Sequence, residues 1–231
     1  MIEKNLEIIK QRIERSCKKV GRNPDEVTLV GVTKTVNVDI IKEAYSHGLI
    51  NFGENKVQEL LSKKDILPEN INWHLIGHLQ RNKVKYITDF IYLIHSLDSY
   101  ELALEIDRQA KKSKRQIPVL IQVNTSSEET KYGIEPENAL TLTKQIAELE
   151  NLKIKGLMTI GAFFSDPEMV RPCFKTLKKI FDKIKMLDLK NVDMKELSMG
   201  MTNDYEVAIE EGATIIRIGT ALFGERNYNK N

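Results

Sequence analysis

The chain predicts an α/β fold, a single (β/α)8 TIM barrel carrying one extra helix at its N-terminus. Three observations carry that expectation. Short runs rich in Val, Ile and Leu alternate eight times with segments of helical periodicity. The 231 residues suit a closed barrel of eight such units, which typically takes about 250. Residues of chemical character follow the strand runs directly, and a barrel gathers its functional groups at those strand ends. An open doubly wound sheet uses the same alternation, but the chain has neither G-x-G-x-x-G nor G-x-x-x-x-G-K-[ST] to mark its nucleotide-binding versions.

Each element has its own signal. Ile2, Leu6, Ile9, Ile13 and Cys17 recur every three or four residues and mark an opening amphipathic helix, which Gly21 stops. Asn23-Pro24 turns the chain into strand one, Val27–Thr33. A helix follows over Val38–His47, ended by Gly48, then strand two, Leu49–Phe52, and a helix from Glu54 towards Ile66. Strand three is Ile71–Gly77, with a polar helix over Gln80–Tyr86 behind it. Strand four, Phe90–His95, leads into helix Tyr100–Lys112. Strand five, Pro118–Val123, is separated by a long polar loop from helix Glu137–Glu148. Strand six, Ile154–Ile160, precedes helix Glu168–Leu187, lysine-rich on its outer face. Strand seven has the weakest pattern, Glu196–Leu197 with its neighbours. Helix Asp204–Glu211, Gly212 and strand eight, Thr214–Ile218, complete the series. No low-complexity linker or break in composition interrupts it, so residues 1–231 are expected to form one domain.

Composition narrows the function classes. The 41% hydrophobic content supports a substantial core. The 35 basic and 33 acidic residues leave a net charge of +2 and are mixed along the chain. The run Lys111-Lys-Ser-Lys-Arg115 closes a helix, where cations are favoured, and has no interleaved aromatics, so no nucleic acid is expected. Cys17 and Cys173 form no C-x-x-C pair, which suits a reducing compartment. Met1–Val20 has no uninterrupted apolar region, so neither a secretory signal nor a membrane is expected, and a cytoplasmic protein is.

Two kinds of residue stand out at strand ends. Lys34 closes the apolar strand one and shares a face with Val30 and Val32; a strand-end lysine is usually exposed, but if that face lines the barrel its ammonium points into the mouth. A poorly solvated ammonium makes its neutral amine accessible, and that amine can attack a carbonyl. Ser198-Met-Gly-Met-Thr202 and Arg217-Ile-Gly-Thr220 follow strands seven and eight, where barrels commonly bind phosphate. Ser198, Thr202 and Thr220 offer hydroxyls, Gly200 and Gly219 let backbone N–H groups approach, and a helix start adds partial positive charge. Taken alone, such a turn is equally an ordinary loop, with Asn203 and Glu206 in capping-box spacing. Occurrence on consecutive strand ends favours the cradle. A carbonyl-capturing lysine opposite a phosphate cradle suggests pyridoxal phosphate.

Other residues are less specific. Arg217 shares its face with Ile215 and either reaches a ligand or pairs with a barrel carboxylate. Asn55 either hydrogen-bonds a ligand or caps the next helix. His74 alternates with outward-looking Trp73 and Leu75, so it faces the interior as a core histidine or part of a cofactor wall. Met158, Met199 and Met201 read as packing at the rim, with Met158 and Met201 near any bound cofactor. His74 and His78 lie on a strand and its turn, with no H-E-x-x-H, so no metal is expected.

Together these segments are more specific than any one. The pieces are Val30-Gly-Val-Thr-Lys34, Phe52-Gly-Glu-Asn55, Trp73-His-Leu-Ile-Gly-His-Leu-Gln-Arg-Asn-Lys83, Lys155-Gly-Leu-Met158, Ser198-Met-Gly-Met-Thr-Asn-Asp204 and Arg217-Ile-Gly-Thr-Ala-Leu-Phe-Gly224. In this order, over nearly the whole chain, they resemble the pyridoxal phosphate homeostasis protein family, related to the barrel domain of alanine racemase. The resemblance implies that Lys34 forms a Schiff base with pyridoxal 5'-phosphate. It implies that Ser198, Gly200, Met201, Gly219 and Thr220 surround the phosphate, that Arg217 lies beside the pyridine nitrogen and that Asn55 lies near the ring. Thr33 stands where a serine is frequent, and His78 where a proline is also seen.

An arginine beside the ring nitrogen disfavours its protonation, which makes the ring a weaker electron sink. Alanine-racemase-like enzymes add a β-rich domain with a catalytic tyrosine, and only Glu225–Asn231 follow Gly224, so that domain is expected to be absent. The expectation is a monomeric carrier without catalytic residues, buffering the cofactor or delivering it to apo-enzymes that use it. The alternative is an amino acid racemase with a single-domain site.

Overall fold

The computed structural model describes residues 1–126, 132–162 and 164–225. Eight parallel strands form a closed barrel in sequence order: β1 (Thr28–Val32), β2 (Asn51–Glu54), β3 (Asn72–Leu75), β4 (Leu93–Leu97), β5 (Ile117–Gln122), β6 (Leu152–Met158), β7 (Val192–Ser198) and β8 (Ile215–Ile218). β1 closes the ring, with Gly31 opposite Phe52 of β2 and Val30 opposite Arg217 of β8. Because every strand is parallel, all eight C-terminal ends emerge on one face. Lys34, Asn55 and the two glycine turns therefore meet there despite their distance in sequence.

Helices α1 (Ile2–Lys19), α2 (Val38–Ser46), α3 (Val57–Lys64), α4 (Tyr100–Lys112), α5 (Ala139–Ala147), α6 (Arg171–Lys185), α7 (Tyr205–Glu210) and α8 (Thr220–Phe223) cover the outside. Their apolar faces meet the outward side chains of the strands in one continuous core. Within it, each fully buried Ile, Leu or Phe contributes about 1.5–3 kcal/mol. A second, smaller cluster fills the lumen: Val30, Leu93, Leu120, Met158 and Ile215, one residue from each of five strands. The extra helix α1 buries Ile2, Leu6, Ile9, Ile13 and Cys17, the residues its periodicity selects. It is held to the last two barrel units by Asn5 Nδ2 donating to Leu222 O of α8 (2.9 Å) and by the ion pair of Arg12 with Glu206 of α7 (2.8 Å).

The fold departs from the sequence expectation at the edges of elements. Strand two begins at Asn51 and runs to Glu54, because the Leu49 amide still closes the end of α2 on Ala44 O. Strand four begins at Leu93 and runs through His95 and Ser96 to Leu97. The continuation of β4 carries His95 to Ser198 across the lumen, whereas Glu54, ending β2, bonds Lys63 of α3. Strand seven is full length, Val192–Ser198, and the helix expected over Gln80–Tyr86 is a 3-10 helix, Arg81–Tyr86. Part of the polar loop after β5, and the chain from residue 226 onward, lie outside the described residues.

Candidate functional site

A cavity of about 500 Å³ opens among the C-terminal strand ends. Its polar side is made by Lys34, Asn55, Arg217, the turn Met201–Asp204, and Gly219 with Thr220. Val32, Ile76, Ile160 and Ala162 supply the apolar walls. A concave site of this size, mostly apolar with a few convergent polar groups, is the usual form of a small-molecule pocket.

Lys34 is half-buried at the mouth, less enclosed than the closing strand suggested. It sits in a turn closed by the Val36 N–H donating to Thr33 O (2.9 Å). Its own ammonium has no hydrogen-bond or ion-pair partner among the described residues. Asn55 is positioned by a close backbone approach: a Cβ on Gly77 would lie 2.4 Å from Asn55 O. Only a glycine admits the start of the third loop there.

The turn after β7 is built differently from the capping box of Asn203 and Glu206. Asp204 Oδ1 accepts the Met201 N–H at 2.6 Å, and Glu206 is turned outward to Arg12. Gly200 has φ +92°, and a Cβ there would meet Ala208 Cβ at 2.5 Å and Tyr205 Cα at 2.9 Å. Its small size thus serves the packing of α7 against the turn rather than an approach to the cavity. After β8, the Leu222 and Phe223 amides both donate to Gly219 O (3.1 and 2.9 Å), so the Gly219 and Thr220 amides stand ahead of the first helical bond. Thr202 Oγ1 accepts the Ala221 N–H at 3.4 Å and joins the two turns.

Besides Gly200, three expected site residues do not line the cavity. Met158 belongs to the apolar cluster deeper in the lumen. Ser198 and His74 belong to a buried polar chain beneath the mouth. In it, Arg217 Nη1 donates to Ser198 Oγ (2.6 Å), and Ser198 Oγ lies 2.9 Å from His95 Nδ1. His95 Nε2 lies 2.9 Å from His74 Nδ1, and His74 Nε2 lies 3.2 Å from Asn51 Oδ1. Arg217 Nη2 donates to Thr159 O (2.8 Å), and no carboxylate pairs with Arg217 among the described residues. Burial lowers the Arg217 pKa to about 10, opposed by the nearby Asp204 charge. Burial lowers His74 to about 3 and holds His95 well below its ordinary value, with His74 and Arg217 adding to the effect on His95.

These values assign the hydrogens. Asn51 Oδ1 can only accept, so a neutral His74 donates to it from Nε2 and accepts at Nδ1. Ser198, which accepts from Arg217, donates its own proton to the Nδ1 of a neutral His95. A neutral His95 then carries its proton on Nε2 and donates to His74, which donates from Nε2 to Asn51. The chain runs one way, from the mouth towards the barrel floor.

Sequence reasoning missed His95, Thr159 and Asp204 as members of the site. His95 carried a usable signal, since it stands two residues past Leu93 on a lumen-facing period. His78 stacks on Tyr132 (ring centroids 4.3 Å apart) and lies 3.6 Å from Asp98, whose carboxyl burial pushes up.

Comparison with known proteins places this geometry in a family. Residues 4–227 match the alanine racemase N-terminal domain family. A pyridoxal phosphate homeostasis protein of Aquifex aeolicus is 48% identical over 224 residues, 96% of this chain and 97% of that one. Among solved structures, an unknown protein from Bifidobacterium adolescentis superposes with TM-score 0.92 at 36% identity, over 96% of this chain and 94% of that one. PipY of Synechococcus elongatus, in a structure with PLP bound, superposes with TM-score 0.79 at 33% identity, over 92% of this chain and all of that one (100%). With its barrel, its strand-end lysine and its paired glycine turns, the chain belongs to the pyridoxal phosphate homeostasis protein family, whose fold is that of the alanine racemase N-terminal domain.

Proposed function

We propose that this protein binds pyridoxal 5'-phosphate at the barrel mouth as a Schiff base on Lys34 and serves its homeostasis in the cell, without catalytic turnover. One observation carries the reading: an unpaired lysine amine opens on the same cavity as two consecutive strand-end turns, the second of which presents the Gly219 and Thr220 amides. The names of the relatives and the PLP bound to PipY support it.

The residues present fit the group. The amine suits an aldehyde, the walls Val32, Ile76 and Ile160 suit a flat ring, and the Gly219–Thr220 amides suit a phosphate. When bound, the cofactor supplies a reversible aldehyde–amine linkage. Arg217 holds positive charge at the lumen side of the cavity, and Asn55 contributes an amide at its edge. Met201 belongs to the phosphate end only insofar as its amide leaves Asp204. Ser198 and Gly200 act there indirectly, through Arg217 and through the turn, and His74 and Met158 act from below the site.

The cavity offers little for acid–base work. Besides Lys34 and Arg217, its titratable side chains among the described residues are Asp166 and Asp204, and each carboxylate already accepts a backbone N–H. That supports storage and delivery, with apo-enzymes that use the cofactor as recipients. A monomer in the cytoplasm completes this proposal, with light scattering and fractionation as its checks. No helix among the described residues is long and apolar enough to cross a membrane.

The test is the visible spectrum of wild type and Lys34→Ala with the cofactor, before and after borohydride. A band that borohydride converts into a stable adduct mapped to Lys34, and that Lys34→Ala lacks, supports the anchor. Wild type that stays colourless in excess cofactor overturns it. Delivery is tested apart: recipient enzymes must be activated faster by loaded protein than by equal free cofactor.

The family match to alanine racemase favours one second reading, an amino acid racemase with a single-domain site. Loaded protein incubated with L-amino acids in deuterated water distinguishes the two. Deuterium at Cα would establish turnover, and its absence across the panel supports the carrier.

A further inference from the structure

Lys34 occupies the second position of the four-residue turn Thr33–Val36, and Thr35 in the third has φ +62°. That region suits Gly or Asn, and a β-branched residue there is strained. Such a conformation persists only where the surroundings over-determine it.

The surroundings are three charged side chains on β2 and α3. Lys63 sends its ammonium to three acceptors at 2.7 Å each: Thr33 O, Glu54 Oε1 and Glu59 Oε1. Glu54 Oε1 also accepts the Thr33 hydroxyl (2.6 Å), and Glu59 Oε1 accepts the Thr35 N–H (2.6 Å). Both neighbours of Lys34 are therefore tied to one ammonium, while the Lys34 side chain is left untouched. Water is nearly excluded: the Lys63 side chain is 7% exposed and that of Glu54 0%. A buried ion cluster is a poor source of stability, because apolar packing of the same volume does as well. This one is not even complete in itself, since Glu54 Oε2 has no partner. Its bonds converge on the turn that carries Lys34.

We propose that Lys63, with Glu54 and Glu59, positions Lys34: the cluster holds the strained turn so that the amine is presented to a carbonyl in the cavity. The inference rests on the reading of Lys34 as the anchoring amine. It separates two tasks, with the glycine turns retaining the phosphate and the buried ions setting how readily the amine reacts.

The experiment compares two ligands on wild type, Lys63→Met and Glu59→Gln. Pyridoxal phosphate reports adduct formation by its rate of borohydride trapping. Pyridoxine 5'-phosphate has the same ring and phosphate but an alcohol for the aldehyde, and reports binding alone. Lys63→Met is expected to slow adduct formation about tenfold or more, and Glu59→Gln by less, with affinity for the alcohol unchanged. Should Lys63→Met not fold, the double variant Lys63→Met with Glu54→Gln removes both buried charges, and Glu59→Gln disturbs only a partly exposed carboxylate. Equal losses with both ligands, or no loss with either, would overturn the proposal. Wild type that binds the alcohol but yields no trapped adduct would defeat the Lys34 reading itself, before any variant is compared.

Discussion

Ser198 accepts a 2.6 Å hydrogen bond from Arg217 inside the barrel, beneath the cavity rather than on its wall. The serine is thus a support of the arginine, which changes what its removal should do. Ser198→Ala leaves a buried Arg217 N–H and His95 Nδ1 without their partner, at a cost of about 1–3 kcal/mol. Urea unfolding should show that loss, and phosphate competition should show a smaller effect than Thr220→Ala. A Ser198→Ala protein of unchanged stability would contradict the buried chain.

His74 gives stability a pH dependence of definite sign. It stays neutral in the folded protein down to about 3, whereas the unfolded chain protonates it near 6.5. Between these values the unfolded state holds the extra proton. The contribution is therefore complete above about 6.5 and is lost as pH falls towards 3, by about 1.4 kcal/mol per pH unit for one group. Glu54, Asp98 and Asp204, raised chiefly by burial, act with the opposite sign, so the readout is a difference. Between about pH 7 and pH 5, wild type should lose more stability than His74→Asn. Parallel curves would refute the assignment.

Gly77→Ala should separate folding from binding. The added Cβ meets Asn55 backbone at 2.4 Å, at the cavity edge and outside the apolar core. Overpacking of this kind costs about 1–3 kcal/mol. Cofactor affinity should fall together with a displaced Asn55 amide signal in NMR spectra. Unaltered affinity would show that Asn55 has no part in binding.

Asp204→Asn should strengthen anion binding. The carboxylate occupies the Met201 amide and places negative charge at the end of the cavity proposed to hold the phosphate. The amide keeps an acceptor for Met201 and removes the charge. Inhibition of cofactor uptake by inorganic phosphate should become about three- to tenfold more effective. Weaker inhibition would mean that the carboxylate organises the turn more than it repels the anion.

Much of this architecture was legible from residue patterns alone. The eight alternations, the face of α1 and the whole of helix Tyr100–Lys112 follow from periodicity, because each element buries one stripe against the sheet. Lys34, Asn55, Arg217, Gly219 and Thr220 meet at one cavity because strand ends of a parallel barrel share a face. The rest depended on what lies across the lumen. Ser198 and His74 carry the polarity of ligand-binding residues, and only closure of the ring shows that His95 stands between them. Gly200 looks like a residue that admits a ligand, and only the position of α7 shows that it admits a helix. Nothing in the spacing of Glu54, Glu59 and Lys63 points to Thr33, since their meeting depends on how α3 lies over β1 and β2.

The chain from Arg217 to Asn51 behaves as a rectifier. Each member gives one hydrogen and receives another, so reversing any link would require all of them to turn together. Arg217, unable to receive, fixes Ser198 as an acceptor at one end. At the other, Asn51 Oδ1 already accepts Asn72 Nδ2 (3.0 Å) and stays an acceptor. The acceptor atoms consequently all look towards the guanidinium, and their aligned dipoles lower the energy of a positive charge that burial would otherwise expel. The cation thus stands in the barrel with no carboxylate in hydrogen-bond contact, and the nearby Asp204 charge adds to what the dipoles supply.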